Sequence, residues 1–368
     1  MAAETNLLRA GVDKLRPYVP GKPIEEVKRE LGLPEDLEII KLASNENLLG
    51  PSVRAIEAIR NAAPEIWLYP DDTCYELKNA LARFWDITPE QLIIGNGSDE
   101  IIHFLALAFL DKDDEVIFAE PSFVQYRAAA MLANVTSVPV PLDAEMRHDL
   151  PAMKAAITQR TKMVFIANPN NPTGTVISRA EFELFLKDLP PRVVVVLDQA
   201  YYEYVENDDS PSALDYIREG HNVVALHTFS KAYALAGLRI GYGIATPQLA
   251  GYLQQVRGPF NVNLVAQAAA IASLSDTDQV ATAFACTRAG LEQMYEAFQS
   301  MGLSYVPSEA NFVLFDCGRE AKPVADELLK RGIIVRVGFG LPTMMRVTVG
   351  PRVMNERFIS SLREVLAA

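Results

Sequence analysis

The chain has 368 residues, room for one large domain and a smaller one, with 49% of them apolar and 22% charged. Its net charge of −13 argues against a nucleic-acid partner, because phosphate backbones recruit basic faces. Scattered Cys74, Cys286 and Cys317 and four histidines without ligand spacing argue against a disulfide framework or a metal site; with no bilayer-length apolar run and no signal-peptide pattern, no membrane partner and a cytoplasmic location are expected.

The first forty residues, punctuated by Pro17, Pro20, Gly21, Pro23 and Pro34, read as an arm with one short helix near residues 24–31. A helix should follow with Pro51 in its first turn, burying Val53, Ile56 and Ile59. From residue 75 helices and strands alternate. Helices are expected at 75–85, 98–110 and 178–186, the last opened by the capping box Ser178-Arg179-Ala180-Glu181. Thr88-Pro89-Glu90-Gln91 is a further helix-start signature. Strands are expected at 92–94, 115–119, 162–167, 193–197, 223–226 and 240–244. The unbroken β-branched run at 193–197 marks a central parallel strand covered on both faces. This alternation predicts an α/β fold around a mostly parallel sheet. After a hinge-like segment at 257–263 come long helices at 264–274 and 277–301 and short strands at 312–315, 333–335 and 346–349. Two further helices complete a smaller α+β domain. The expected division is an arm over 1–45 that packs with the small domain and a partner subunit, a large domain over 46–260 and a small domain over 261–368.

In α/β sheets ligands sit beyond the carboxyl ends of the strands, and four predicted strands end there in polar loops. Gly95-Asn96-Gly97-Ser98-Asp99-Glu100 suits an anion at a helix N-terminus. It is also one residue short of a dinucleotide fingerprint, with Glu120 at the spacing of a ribose-binding acid, so a nicotinamide-dependent oxidoreductase stays open on this segment, as does a plain turn. Asn168 to Gly174 carries two prolines and a glycine, which fix its path either as a structural turn or to hold Asn171 at a site. Asp198 ends the most apolar strand; a buried carboxylate needs a partner, and a pyridinium nitrogen would be one. Ser230-Lys231, with Thr228 before it and Arg239 after, would bring an amine and phosphate ligands together.

Asn171-Pro172-Thr173-Gly174, Asp198-x-x-Tyr201 and Ser230-Lys231 followed by Gly237-Leu238-Arg239 together resemble the motif set of the fold-type I, pyridoxal-phosphate-dependent aminotransferases. Four more segments narrow the likeness to the class-II family of histidinol-phosphate aminotransferases, along essentially the whole chain. They are residues 15–23 (LRPYVPGKP), 42–47 (LASNEN), 69–71 (YPD) and 346–350 (RVTVG).

The resemblance implies pyridoxal 5'-phosphate as cofactor, held by Lys231 as a Schiff base, with Lys231 then serving as the proton shuttle. Asp198 would pair with the ring nitrogen, Tyr201 and Asn171 would hold the 3′ oxygen, and Phe123 would stack on the ring. Ser98, Asp99, Thr228, Ser230 and Arg239 would grip the phosphate, joined by Tyr69 from the neighbouring subunit of a homodimer with shared active sites. Arg346 would bind the carboxylate of glutamate, Arg336 and the partner-facing Tyr18 the substrate phosphate, and Asn45 would lie near the substrate. The implied reaction is ping-pong transfer between L-histidinol phosphate and 2-oxoglutarate, giving imidazole acetol phosphate and L-glutamate. An aromatic amino-acid aminotransferase and an amino-acid phosphate decarboxylase on the same scaffold are the alternatives. Four positions depart from the family pattern: Leu48 for proline, Gln199 for glutamate, His227 for arginine and Asp72-Thr73 for a Gly-Asn-like turn. The exchanges at Gln199 and His227 remove one acid and one base, as a paired loss would.

Overall fold

Short apolar strands buried on both faces build the central sheet, which is why they read as unbroken runs in the sequence. The structure, a computed structural model, describes residues 37–367 together with Val12 and Leu15; Tyr18 and the arm helix expected at 24–31 lie outside the described residues. A short strand β1 (Ile40–Lys41) comes first. The seven strands of the main sheet follow: β2 (Leu92–Gly95), β3 (Glu115–Glu120), β4 (Thr136–Pro141), β5 (Thr161–Ala167), β6 (Val194–Asp198), β7 (Val223–Thr228) and β8 (Gly241–Ile244). Their order is β2-β8-β7-β6-β5-β3-β4. Only β8 runs antiparallel to its neighbours; the other pairings are parallel, as the alternation of elements predicts.

Alternate residues of each strand feed the two layers of core. Val195 and Leu197 join Ile94, Ile117 and Ile166 on one face, and Val194 and Val196 join Ile93, Phe118 and Phe165 on the other. Edge strand β4 had no counterpart among the expected strands. Pro139 and Pro141 break its pattern, and a proline is tolerated there because an edge strand has only one hydrogen-bonding neighbour.

The helix Val53–Ala62 departs from expectation in two ways. Ser52 is its cap, accepting from Ala55 N at 3.0 Å, so Pro51 precedes the helix rather than sitting in its first turn. Val53 is exposed, while Ala55 is buried, because a small-residue face meets the helix Leu264–Leu274 at close range. The Thr88 box forms as a single 3-10 turn, with Thr88 N donating to Gln91 Oε1 at 3.1 Å. The Ser178 box forms as expected, Glu181 N donating to Ser178 Oγ at 3.2 Å and Ser178 N to Glu181 Oε2 at 2.7 Å.

A second, antiparallel sheet has the order β12-β10-β9, formed by β9 (Tyr305–Val306), β10 (Phe312–Asp316) and β12 (Met344–Thr348). The strand β11 (Ile333–Ile334) pairs in parallel with β1 instead, Ile40 opposite Ile333. Helices Thr277–Ser300, Ala321–Lys330 and Arg352–Ala367 close over this sheet through Phe298, Phe315 and Phe358. Ile40 and Leu42 belong to the same core, so the described end of the arm is built into the small unit. The helix Leu264–Leu274 packs the other way: Ala266, Ala269 and Ala270 share a cluster with Leu77 and Leu81 on the large-sheet side.

Candidate active site

The carboxyl ends of β5, β6 and β7, with the turn after β2, open onto one cleft between the two units. Thirteen of the fifteen expected site residues line it: Asn45, Ser98, Asp99, Phe123, Asn171, Asp198 and Tyr201 from the arm end and first loops, and Thr228, Ser230, Lys231, Arg239, Arg336 and Arg346 beyond them. Tyr69 does not line the cleft of its own chain. It is 82% exposed and stacks on Phe260 with ring centroids 4.7 Å apart. Tyr18 lies outside the described residues.

At one end of the cleft the helix Ser98–Phe109 begins. Its cap, Gly97, has φ +80°, so the turn needs glycine for its conformation, and a Cβ there, within 2.6 Å of Arg239 Nη2, would push that guanidinium aside. Free amides at this helix start, the hydroxyls of Thr228 and Ser230 and the guanidinium of Arg239 form an anion-binding corner. Arg239 lies 3.5 Å from Asp99 Oδ2 and 3.5 Å from Ser230 Oγ, and Ser230 N donates to Thr228 Oγ1 at 3.1 Å.

In the middle sits Asp198, at the end of β6 and 5% exposed. Tyr126 Oη donates to its Oδ2 at 2.7 Å, and Ala200 N to its Oδ1 at 3.1 Å. Burial pushes this carboxyl up to about 6, against the pull of those two hydrogen bonds. Burial, and then the neighbouring carboxylate, raise the Tyr126 phenol well above its ordinary value, so it stays a donor.

Three consecutive residues leading from β1 hold three site groups. Arg346 Nη2 donates to Ala43 O at 2.7 Å, Lys231 Nζ to Ser44 O at 3.0 Å, and Asn45 Nδ2 to Tyr201 Oη at 2.8 Å. Asn45 adopts φ +57° and is itself fixed by Thr348 Oγ1 and Asn311 Nδ2, each at 3.0 Å. Arg346, on β12, also donates to Asn171 Oδ1 and lies between the rings of Phe312 and Phe339. The backbones of Arg336 and Arg346 form a reciprocal bridge, which sets both guanidiniums at the same end of the cleft.

Sequence reasoning missed Tyr126, Ala43 and Ser44. The only signal for Tyr126 was a tyrosine on the buried face of the helix that follows Phe123.

Each family departure has a local accommodation. Asp72 forms a fork with Arg257, at 2.9 and 2.7 Å, which pulls the Asp72 carboxyl down to about 2. The Leu48 side chain covers Gly350. Gln199 Nε2 donates to Pro211 O at 3.4 Å, whereas His227 lies among the rings of Trp85, Tyr202 and Tyr242, where burial lowers it to about 3. Gln199 and His227 are not hydrogen-bonded to each other, so no direct pair links the two exchanges.

The sequence profile of the family described as aminotransferase class I and II matches residues 38–362. The chain belongs to that family. Histidinol-phosphate aminotransferase from Moorella thermoacetica is 50% identical over 98% of this chain and 93% of its own length. Histidinol-phosphate aminotransferase 2 from Carboxydothermus hydrogenoformans is 46% identical over 98% of this chain and 99% of its own. The crystal structure of the Sinorhizobium meliloti histidinol-phosphate aminotransferase in complex with pyridoxal-5'-phosphate superposes with a TM-score of 0.90 at 29% identity, covering 99% of this chain and 98% of that one. The aminotransferase fold of type I, expected from the motifs, is therefore the fold this family member adopts. Membership also removes the oxidoreductase alternative: the Gly95–Ser98 turn serves an aminotransferase scaffold.

Proposed function

We propose that this aminotransferase uses pyridoxal 5'-phosphate to interconvert L-histidinol phosphate and 2-oxoglutarate with imidazole acetol phosphate and L-glutamate, a step of histidine biosynthesis, by a ping-pong route. Relatives named for histidinol phosphate, at 45–50% identity over nearly the whole chain, support the substrate. The observation that carries the cofactor is Asp198. Its buried carboxylate holds two neutral donors and, among the described residues, no cation at ion-pair distance. A pyridinium N–H is the partner that such a group calls for.

When bound, the cofactor supplies an aldehyde carbon that captures amines and a protonated ring that takes up the electrons released at the substrate α-carbon. Lys231 Nζ would hold that aldehyde at rest and, once displaced by a substrate amine, take and return the α-proton. Asp198 would keep the ring nitrogen protonated. Tyr201 and Asn171 would hold the 3′ oxygen, and Phe123 would cover one ring face. The corner of Ser98, Asp99, Thr228, Ser230 and Arg239 would take the phosphate. Arg346 would receive the carboxylate of glutamate as a fork. Arg336, with Tyr18, would take the phosphate of the amino-acid phosphate, and Asn45 would border the substrate.

A homodimer with shared active sites belongs to this reading. Ile66, Trp67, Leu68 and Tyr69 form an exposed apolar run, at 69, 78, 46 and 82%, of the kind that a second copy covers. Tyr69 would then reach the partner's phosphate corner. The division into an arm (1–45), a large and a small domain also goes with it, with the helix Leu264–Leu274 counted in the large one. Among the described residues no helix is long and apolar enough to cross a membrane, and we place the reaction in the cytoplasm.

The test is a titration followed by visible absorption. The protein, reconstituted with pyridoxal 5'-phosphate, should show the band of the lysine-bound cofactor. L-Histidinol phosphate should bleach that band at far lower concentration than L-phenylalanine. No band would end the cofactor assignment, and bleaching by phenylalanine alone would make this an aromatic amino-acid enzyme.

A further inference from the structure

A second cavity, of about 430 Å3, shares no lining residue with the cleft. It lies where the helix Tyr75–Trp85 ends against the turn after β6 and against the joint into the helix Thr277–Ser300. Its size falls in the range of about 300–1,000 Å3 typical of small-molecule sites. Five of its twelve lining residues carry rings. Phe84 meets Trp85 edge-on at 5.3 Å, and Trp85 meets Tyr202 at 5.6 Å. Tyr233 and Phe284 are the other two rings, and the aliphatic Leu274, Val280 and Ala281 lie among them.

Into this apolar wall the fold sets a carboxyl, Glu203. Among the described residues no side-chain donor reaches it; only its own backbone amide does, and burial pushes it up to about 8. Asp276 lines the same cavity. The arginines that touch the surrounding segments are committed elsewhere: Arg218 to the carbonyls of Trp85 and Asp86, Arg54 to Ser275 O, and Arg288 to Glu206 and Glu309. Held at about 8, the carboxyl is mostly protonated at neutral pH; a cation seated beside it favours the ionised form, so such a ligand binds more tightly as pH rises, and aromatic faces attract the same charge. Two carboxyls disfavour an anion, and ring walls disfavour a small, strongly hydrated metal ion.

We propose that this cavity is a second small-molecule site that takes a monovalent organic cation with an aromatic or branched apolar body, its charge against Glu203 and its body against the rings of Trp85 and Tyr202. The site is independent of the reaction assigned to the cleft.

Benzyltrimethylammonium is a suitable probe, because a quaternary nitrogen cannot combine with a cofactor aldehyde, and benzyl alcohol is its neutral counterpart. Calorimetry on the full-chain holoenzyme should give one cation site per chain, at least about tenfold tighter than the alcohol. Trp85 and Trp67 are the two tryptophans of the chain, so in the Trp67→Phe variant the emission of Trp85 reports the same event. Glu203→Gln should cut the cation's preference over the alcohol at least about fivefold, the rings keeping the remainder. Equal affinities in the unaltered protein, no binding at about 10 mM, a preference unchanged in Glu203→Gln, or binding without response at Trp85 would each overturn the proposal. If Glu203→Gln fails to fold, the cation-to-alcohol ratio and the Trp85 response of the Glu203-containing protein decide it alone.

Discussion

Tyr126 Oη lies 2.7 Å from Asp198 Oδ2, and both groups are buried; the tyrosine ring is stacked on Phe165 at 4.5 Å. The phenol and the Ala200 amide each hold one carboxylate oxygen, which fixes the plane of the carboxyl and steadies its charge. Tyr126→Phe should therefore loosen the cofactor while keeping the ring that lines the cleft. A hydrogen bond to a charged group contributes about 1.5–3 kcal/mol, so the dissociation constant of pyridoxal 5'-phosphate should rise roughly tenfold or more. Loss of absorbance on dialysis measures this. An unchanged constant would mean that Ala200 N alone orients the carboxylate.

The same carboxyl links stability to pH. Its folded value, about 6, lies above the ordinary aspartate value of 3.8, so between the two the folded apoprotein keeps a proton that the unfolded chain has lost. This contribution favours the fold at low pH and is lost as pH rises through about 6. Relative to Asp198→Asn, which lacks the titration, the apoprotein should lose about 2 kcal/mol of unfolding free energy between about pH 4 and pH 7. Denaturant titrations of both proteins at the two pH values supply the comparison. A difference that is flat with pH would show that the carboxyl titrates normally.

Lys231→Ala removes the only amine lining the cleft among the described residues. Transamination should vanish while circular dichroism and thermal unfolding stay near those of the parent. Substantial residual turnover would remove Lys231 from the mechanism.

Arg346→Lys keeps the charge but loses the fork that spans Asn171 and Ala43. The KM for glutamate should rise about 10- to 100-fold, equivalent to about 1.5–3 kcal/mol, with a smaller effect on kcat. Steady-state kinetics with glutamate varied at fixed imidazole acetol phosphate gives both numbers. A purely kcat effect would place Arg346 away from the carboxylate.

The proposed sharing of sites between two copies is open to a complementation experiment. Tyr69→Phe and Lys231→Ala homodimers should each be impaired. Mixed and reassembled, they should regain turnover, because one site of the hybrid joins an intact Lys231 to the partner's intact Tyr69. A mixture no better than its parents would sink the shared-site arrangement.

The elements most legible in the sequence were those whose burial is uniform. The run at 193–197 could only be a covered strand, and the helices at 264–274 and 277–301 are bounded by Asn263 and by the Ser275–Asp276 joint. Val53 misled because periodicity marks an apolar stripe, whereas close helix packing here selects the alanine beside it. The cleft was legible wherever polar residues end strands. Tyr126 was not, because a buried tyrosine in an apolar helix has the same local pattern whether or not its hydroxyl meets a carboxylate. Its partner is 72 residues away. The Asn171–Arg346 contact joins the two units across 175 residues, a distance that no local pattern carries.

Residues 43–45 have a consequence for timing. Ala43 and Ser44 present carbonyls one peptide unit apart, about 3.8 Å along the chain, one to Arg346 and the other to Lys231, and Asn45 reaches Tyr201. An arginine that turned from Ala43 toward a carboxylate would release one contact of the same short thread that restrains the lysine amine. The anionic and amine ends of the site thus share one three-residue stretch of backbone. One inserted residue in that thread would put both out of phase at once, while each side chain of the cleft remained intact.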